Sequence, residues 1–239
     1  VNDAPTIVDT NGDLAAVAVT ENNSVSVNLA TYFSDADGDT PTNLVITATP
    51  SATGPDGNAI GTHSVSGTTI TYSVNNDSLV AGTSYTDTVV FTLSDGTTAT
   101  SPTTITFDVT GVNDDPTFTS GSLDTSVAEG GSPLDIDIVN AISDLDATIT
   151  VSDITINSGA TSSFGTLVAD TVNGDWDFTP VASGTAGGDH VISFTVDDGN
   201  GGTLTDSITI TVTDVNDAPT IVDTNGDLAA VAVTENNSV

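Results

Sequence analysis

Apolar and polar residues alternate in many short stretches of the chain, and this alternation predicts β-strands. Ile105, Phe107 and Val109 are separated by single polar residues, and Ile208 and Ile210 follow the same pattern. Successive side chains of a strand point to opposite faces of a sheet, so this spacing is typical of strands with one buried face. Clusters of Gly, Asn, Asp and Pro separate the stretches about every 10 residues, and no segment has a convincing helical period. The pattern therefore predicts an all-β fold.

Internal repetition divides the chain into units. The residues at 1–25 recur without a change at 215–239, and the hexamer at 112–117 is a shorter echo of the same segment. The segments at 89–98 and 192–201 also align with each other. These echoes indicate equivalent positions in successive modules of a tandem array.

The repeats predict a first module at residues 1–111, a second at 112–214 and the incomplete start of a third at 215–239. Two modules of about 100 residues, each with about seven strands, fit immunoglobulin-like Greek-key sandwiches in a linear array. The third unit repeats only an opening strand. We expect it to be poorly ordered alone, or to have its strand completed by another chain.

The charge of the chain has a single sign. Lys and Arg are absent while Asp and Glu number 33, which gives a formal net charge of -33. Nucleic acids and anionic membranes reward basic residues, so neither is an expected partner. No apolar run is long enough to insert into a membrane. Compact folding therefore needs either high salt, which screens exposed carboxylates, or bound cations. A high-salt habitat and cation binding are compatible with each other.

Short loops rich in oxygen ligands recur in each module. Asp35 and Asp37 lie in the sequence SDADGD, Asp144 and Asp146 lie in SDLD, and an Asn-Asp pair comes shortly before proline in VNDAP and VNDDP. Calcium binds six to eight oxygens from carboxylates, carbonyls and Asn side chains. Cys is absent and His is scarce, so zinc and copper are not expected. Solvated turns remain the alternative, because Asn, Asp and Gly favour turns for backbone reasons alone.

The segment 195–219, TVDDGNGGTLTDSITITVTDVNDAP, resembles the end of a cadherin repeat. In that family an Asp-Gly loop and a strand lead into an Asp-x-Asn-Asp linker. Glu21 and the Asp35-Ala36-Asp37 loop are similar to the other cadherin calcium motifs. The chain most resembles bacterial cadherin-like tandem repeats from the extender region of giant RTX-type surface adhesins, which are exported by type I secretion. The resemblance covers both complete modules and implies Ca2+ between successive modules.

The resemblance also implies a ligand set at each junction, drawn from the upstream module, the linker and the downstream module. At the central junction the implied ligands are Glu21, Asp87, Asn113, Asp114, Asp115, Asp144, Asp146 and Asp198. At the second junction they are Glu129, Asp189, Asp214, Asn216 and Asp217. At the start of the chain, Asn2, Asp3, Asp35, Asp37 and Asp95 match the downstream half of such a site.

The sequence departs from the cadherin pattern at three positions. Gly111 replaces the first Asp of the linker motif, so we expect the central junction to have one carboxylate fewer than the second, unless Asp115 compensates. Asp87 precedes its Asp-Gly loop by eight residues and Asp189 precedes the corresponding loop by nine, so the two spacings do not agree.

Together these features favour a calcium-binding structural extender of a large bacterial cell-surface adhesin, acting in cell adhesion or biofilm formation. The expected location is extracellular, and the expected partners are neighbouring repeats of the same chain; self-association is left open. An enzyme is not expected, because the sequence has no cleft signature, nucleophile–base pair or phosphate loop. The alternative is an Ig-like module that itself binds a glycan, a partner protein or another copy of itself.

Overall fold

A computed structural model describes residues 1–119, 123–172, 174–184, 187–219, 221–222 and 224. The predicted third unit at 215–239 lies mostly outside these residues. In the described part of the chain, helical structure is confined to short 3-10 turns at Leu29–Tyr32, Val139–Ala141 and Val151–Asp153. The rest of the regular structure is β, as the alternation of apolar and polar residues predicts.

Nine strands form the first half of the chain. They are β1 (Thr6–Ile7), β2 (Val17–Thr20), β3 (Ser24–Asn28), β4 (Phe33–Ser34), β5 (Asn43–Ala48), β6 (Gly61–Ser66), β7 (Thr69–Val74), β8 (Ser84–Ser94) and β9 (Thr103–Thr110). One sheet has the order β2-β9-β8-β5 and the other β3-β7-β6, while β1 and β4 form a separate ribbon. The two larger sheets pack into a seven-stranded Greek-key sandwich, here called the first sandwich.

The second half repeats this architecture. Its strands are β10 (Thr117–Phe118), β11 (Thr125–Ala128), β12 (Leu134–Ile136), β13 (Ile142–Ser143), β14 (Ile154–Ser158), β15 (Gly165–Asp170), β16 (Asp175–Pro180), β17 (Gly188–Asp197) and β18 (Thr203–Thr213). The sheets are ordered β11-β18-β17-β14 and β12-β16-β15, with β10 and β13 as the ribbon. We call this unit the second sandwich. The fold is therefore all-β with two tandem immunoglobulin-like domains, as predicted.

Each sandwich has its own apolar core, built from the inward positions of the alternating strands. In the first, Tyr72 of β7 stacks on Phe107 of β9 with ring centroids 4.2 Å apart, which joins the two sheets. In the second, Phe178 of β16 and Phe194 of β17 are fully buried within one cluster. Aromatic side chains bury a large area each, so these contacts contribute much of the hydrophobic stabilisation.

Strand direction determines which loops meet. β2 pairs in parallel with β9, whereas β9 pairs antiparallel to β8. The ends of β2 and β9 therefore lie together at the edge of the first sandwich where the chain continues to the second. The loops that follow β13 and β17 both contact the linker between the sandwiches, through Asp146 and Asp198 respectively. This arrangement brings four segments to one junction: the end of β2, the linker after β9 and the loops after β13 and β17.

Candidate metal centre

Glu21 anchors the first sandwich side of the junction. It follows β2, and its backbone N–H donates to the carbonyl of Thr110 at 2.9 Å. Its side chain is 1% exposed, and its two carboxylate oxygens accept from the backbone N–H groups of Leu79 at 3.2 Å and Val112 at 2.8 Å. The carboxylate thus ties the linker to the first sandwich, at a depth where an unpaired charge is costly.

The loop after β13 presents two carboxylates of the second sandwich to the linker. Asp144 Oδ1 accepts from the backbone N–H groups of Asp146 at 3.0 Å and Ala147 at 2.6 Å. Asp146 Oδ2 accepts from the backbone N–H of Asp114 at 3.1 Å. These local bonds hold one oxygen of each carboxylate in place. The second oxygen of each carboxylate takes its direction from the loop.

The loop after β17 is held against the same linker. Asn113 Nδ2 donates to Asp198 Oδ2 at 2.8 Å and to the carbonyl of Asp114 at 3.1 Å. Gly202 lies so close that a Cβ there would be 2.7 Å from Asp115 Oδ1 and 2.8 Å from Asn113 Nδ2. A larger residue at this position would displace these side chains, and Asp115 lies beside the cluster.

Four side-chain oxygens of this junction are buried and accept no hydrogen bond. They are Asn113 Oδ1, Asp114 Oδ2, Asp144 Oδ2 and Asp146 Oδ1. Buried polar atoms are nearly always satisfied in folded proteins, so four acceptors without donors in one place need an explanation. All are hard oxygen ligands, most carry negative charge, and the chain has no Lys or Arg to pair with them. The donor set fits a calcium ion.

The electrostatics of the junction agree with this fit. Burial, together with repulsion from Asp114 and Asp146, raises the pKa of Glu21 despite its two backbone hydrogen bonds. Burial also raises the pKa of Asp114, with further contributions from Asp146, Asp77 and other neighbouring acids. The pKa of Asp146 is raised chiefly by burial and by nearby carboxylates. Without a cation the cluster therefore resists ionisation.

Asp198 differs from the other acids of the junction. Partial burial would raise its pKa, but hydrogen bonds from Asn113 and from the backbone N–H groups of Asn200, Gly202 and Gly201 outweigh burial and lower it. Asp198 therefore stays ionised more easily than Glu21, Asp114 and Asp146, and its hydrogen bond keeps Asn113 in position for the junction.

The start of the chain carries the same arrangement in the first sandwich. Asn2 Nδ2 donates to Asp95 Oδ2 at 3.0 Å, and the backbone N–H of Asp3 donates to Asp37 Oδ2 at 2.6 Å. The backbone N–H of Asp37 donates to Asp35 Oδ1 at 2.8 Å, and Asp35 Oδ2 is buried without a donor. These contacts match those of Asn113, Asp114, Asp144, Asp146 and Asp198 one for one. Asp39 joins them, since oxygens of Asp35, Asp37 and Asp39 lie within 4.8 Å of one another.

The far end of the second sandwich repeats the contacts that Glu21 makes in the first sandwich. The backbone N–H of Glu129 donates to the carbonyl of Thr213 at 3.0 Å, and Glu129 Oε1 accepts from the backbone N–H of Val215 at 3.2 Å. Asn216 Nδ2 donates to the carbonyl of Asp217 at 3.3 Å, as its counterparts in the other linkers do. Asp214 precedes them and is exposed.

The structure does not bring two of the predicted ligands to these clusters. Asp87 is 3% exposed within the first sandwich, where Tyr72 Oη donates to Asp87 Oδ2 at 2.8 Å. Asp189 lies exposed on β17, and its carboxylate accepts from the hydroxyl of Thr211 at 2.8 Å. Both acids are held within strands, whereas the clustered acids lie in loops and linkers.

Two further contributors come from the loop between β7 and β8. Asp77 is close enough to raise the pKa of Asp114, and the backbone N–H of Ala81 donates to Asp146. Comparison of the two modules does not point to Asp77, because the segment 181–184 that follows β16 in the second sandwich has no acid. The sequence marks this position only by the Asp that ends the Asn-Asn-Asp run after β7.

Comparison with known proteins identifies the fold. The family model described as Bacterial Ig domain matches residues 2–108 and again residues 113–213. Among curated proteins no match to the chain was found. In the described part of the chain, no helix combines the length and apolar character needed to cross a bilayer.

Solved structures of cadherins are similar to this chain. Human CDH23 EC21-23 is 14% identical, with a TM-score of 0.53, and the match covers 89% of this chain and 70% of that structure. The protocadherin gamma B4 extracellular domain is 13% identical, with a TM-score of 0.45, over 89% of this chain and 35% of that one.

An endo-fucoidan hydrolase of glycoside hydrolase family 107 is 20% identical, with a TM-score of 0.34, over 89% of this chain and 29% of that enzyme. This chain therefore spans less than a third of the enzyme's length. At these identities the likenesses show the fold alone, and the cadherin match above 0.5 shows a cadherin-like sandwich array.

Tandem domains of this kind are typical of structural and adhesin-like proteins, and they are typically not enzymatic. The family model covers both sandwiches and leaves only a few residues between its two matches. The chain therefore belongs to the Bacterial Ig domain family and contains two tandem copies of that domain.

Proposed function

We propose that this chain is a calcium-rigidified extender segment of a large bacterial surface adhesin. The observation that carries the proposal is the group of four buried oxygens without donors at the central junction. They come from the linker and the second sandwich and lie beside Glu21 of the first. We further propose that the modules divide at residues 111 and 214, that residues 215–239 begin a third, and that the array lies outside the cell.

The proposed mechanism couples ion binding to the relative position of the sandwiches. In the calcium-free chain, Glu21, Asp114 and Asp146 repel one another, so the junction favours separation of the two sandwiches. A bound calcium ion supplies positive charge that neutralises these groups. Asn113, Asp114, Asp144 and Asp146 offer it oxygens from the linker and the second sandwich. Glu21 already ties the linker to the first sandwich through the backbone N–H of Val112. An ion that holds the linker on the second sandwich therefore also fixes the two sandwiches relative to each other, and its binding free energy stabilises that arrangement.

A junction variant and a matched control can test the proposal. The variant carries Asp144→Ala and Asp146→Ala. The control carries Asp35→Ala and Asp37→Ala, which removes the equivalent pair of carboxylates from the first sandwich and leaves the residues of the central junction unaltered. For the unaltered chain, we expect calcium to raise the melting temperature and EDTA to broaden the distance distribution from small-angle scattering.

The two variants should then differ in shape rather than in folding. The junction variant should keep the broad distribution in calcium, whereas the control should narrow as the unaltered chain does. We expect calorimetry to show fewer bound ions for the junction variant. Identical scattering and melting of the unaltered chain in calcium and in EDTA would sink the proposal.

A further inference from the structure

A second group of carboxylates lies in the second sandwich, on the sheet β12-β16-β15. The strand register places Asp135 opposite Asp177 and Asp170 opposite Asp175. Asp175 and Asp177 are two residues apart on β16, so both point to the face opposite the buried Phe178. Four acids from three adjacent strands therefore share the outer face of one sheet. None of them is a predicted junction ligand.

Asp175 is the unusual member of this group. It is 7% exposed, and its Oδ1 is buried without a hydrogen-bond donor. Its carboxyl group also contacts the carboxyl group of Asp135. Two carboxylates can share such a contact only when a proton or a metal ion lies between them. The chain has no Lys or Arg that could take this role.

The acidity of Asp175 is consistent with its surroundings. Burial is the largest cause, followed by the contact with Asp135 and repulsion from Asp170 and Asp177, and together they raise the pKa of Asp175 to about 6. Its surroundings therefore disfavour a negative charge at this position. A cation would remove that cost.

The first sandwich shows that the sheet itself does not need these acids. At the positions equivalent to Asp135 and Asp177 it carries Ser26 and Thr71, which face each other across β3 and β7. Their hydroxyls form a 2.7 Å hydrogen bond. Thr69 and Ser66 pair in the same way where the second sandwich has Asp175 and Asp170. All four acids thus replace neutral hydroxyl side chains on an otherwise repeated framework.

We propose that Asp135, Asp175, Asp177 and Asp170 form a site for a hard divalent cation on the outer face of the second sandwich. The ligands are carboxylate oxygens alone, which favours calcium or magnesium over zinc or copper. The ion lies within one module, so it stabilises the β12-β16-β15 sheet and not the junction. The proposal is independent of the proposed function, because it shares no residue with the junction cluster.

Trp176 provides a probe specific to this site. It is the sole tryptophan of the chain and lies between Asp175 and Asp177 in sequence. Terbium replaces calcium at oxygen sites and emits when a nearby indole transfers energy to it. With excitation at the red edge of tryptophan absorption, where tyrosine contributes little, we expect terbium emission from the full chain at neutral pH. Added calcium should displace the terbium and quench this emission.

Two double variants separate this site from the junction. Asp135→Asn with Asp175→Asn should lose the emission, with terbium affinity weaker by about tenfold or more, since two charged ligands are removed. Asp144→Asn with Asp146→Asn should retain it. In EDTA the first double variant should melt at a higher temperature than the unaltered chain, because its amides do not repel.

The proposal is overturned if the emission survives Asp135→Asn with Asp175→Asn, or if the unaltered chain gives none. The unaltered chain could give no emission while Asp135→Asn with Asp175→Asn raises the melting temperature equally in calcium and in EDTA. That result would show that the carboxyl groups share a proton and bind no metal ion. Should the double variant fail to fold, as judged by circular dichroism, the single variant Asp177→Asn takes its place. That variant retains the buried Asp175 and should weaken terbium binding; unchanged binding would overturn the proposal.

Discussion

At the scale of single residues, Asp87 belongs to the interior of the first sandwich. Its carboxylate accepts from the hydroxyl of Tyr72 at 2.8 Å and from the backbone N–H groups of Ser51, Ala52 and Thr88. We predict that Asp87→Ala lowers the free energy of unfolding by about 2–3 kcal/mol, because buried donors lose their acceptor. Urea unfolding should show the same loss in EDTA and in calcium.

The control for this prediction is Tyr72→Phe, which removes one donor and leaves the carboxylate with three backbone partners. We expect it to cost about 1 kcal/mol, near the usual net value of one hydrogen bond. Calorimetry should give an unchanged number of calcium ions for Asp87→Ala. A loss of one ion with unchanged stability would contradict the assignment of Asp87 to the interior.

The same residue shows where sequence reasoning was limited. Asp87 has the same parity along β8 as Val89, Phe91 and Leu93, which are all fully buried. Alternation alone therefore predicts that Asp87 points inward, whereas its assignment as a ligand rested on similarity to a family motif at uncertain spacing. Motifs that recur at equivalent positions of both modules, such as the Asp144–Asp146 loop, were a better guide to loop conformation. Each copy forms the same local hydrogen bonds.

At the scale of elements, Gly111 controls how the linker leaves the first sandwich. A Cβ at this position would collide with the backbone carbonyls of Leu79 and Val80. The equivalent position of the second linker carries Asp214, so the sequence predicts a central junction that has lost a carboxylate. The structure gives a different physical reason for the glycine: the loop before β8 packs directly against it.

We therefore predict that Gly111→Asp does not add a calcium ligand. The side chain should force the backbone apart and cost about 1–3 kcal/mol, as overpacking does. Gly111→Ala tests the collision without the charge and should cost a similar amount. Thermal melts in EDTA measure the cost, and calcium titration measures the affinity. Tighter calcium binding by Gly111→Asp with unchanged stability would refute the steric account.

Most of the strands were predictable, because sandwich strands with one buried face alternate in a recognisable way. The ribbons were not. β1 and β4 pair through only two residues each, Thr6 with Ser34 and Ile7 with Phe33. A two-residue strand is too short to show alternation, and its pairing depends on the tertiary approach of distant segments. The group of four carboxylates on the outer face of the second sandwich could not be predicted for a related reason, since it depends on the register between three strands.

At the scale of the whole molecule, groups with opposite pKa shifts compete as the pH falls. Burial raises the pKa values of Glu21, Asp114 and Asp146, and it raises that of Asp175 from 3.8 to about 6. In the absence of metal, the folded chain therefore takes up protons before the unfolded chain does, and acidification stabilises it. For Asp175 this gain begins as the pH falls through about 6 and is complete below 3.8.

His190 acts in the opposite direction. It is 2% exposed, its Nδ1 lies 2.6 Å from Ser162 Oγ, and burial lowers its pKa below 6.5. Below pH 6.5 the unfolded chain protonates its histidine first, so acidification costs stability at this residue. Asp95, whose pKa is lowered to about 2 mainly by a backbone hydrogen bond from Thr98, loses its contribution only between pH 3.8 and 2.

Because several carboxyl groups oppose a single buried histidine, we predict that the melting temperature in EDTA rises as the pH falls from about 7 to about 5. His190→Gln should steepen this rise, since it removes the opposing group. Saturating calcium should reverse the trend, because protons then compete with the ion for Asp114 and Asp146. Melts followed by circular dichroism across this range measure all three curves. A melting temperature that falls steadily on acidification in EDTA would show that the buried carboxylates are stabilised by contacts other than a cation, and it would remove the electrostatic basis of the proposed switch from a flexible to a rigid array.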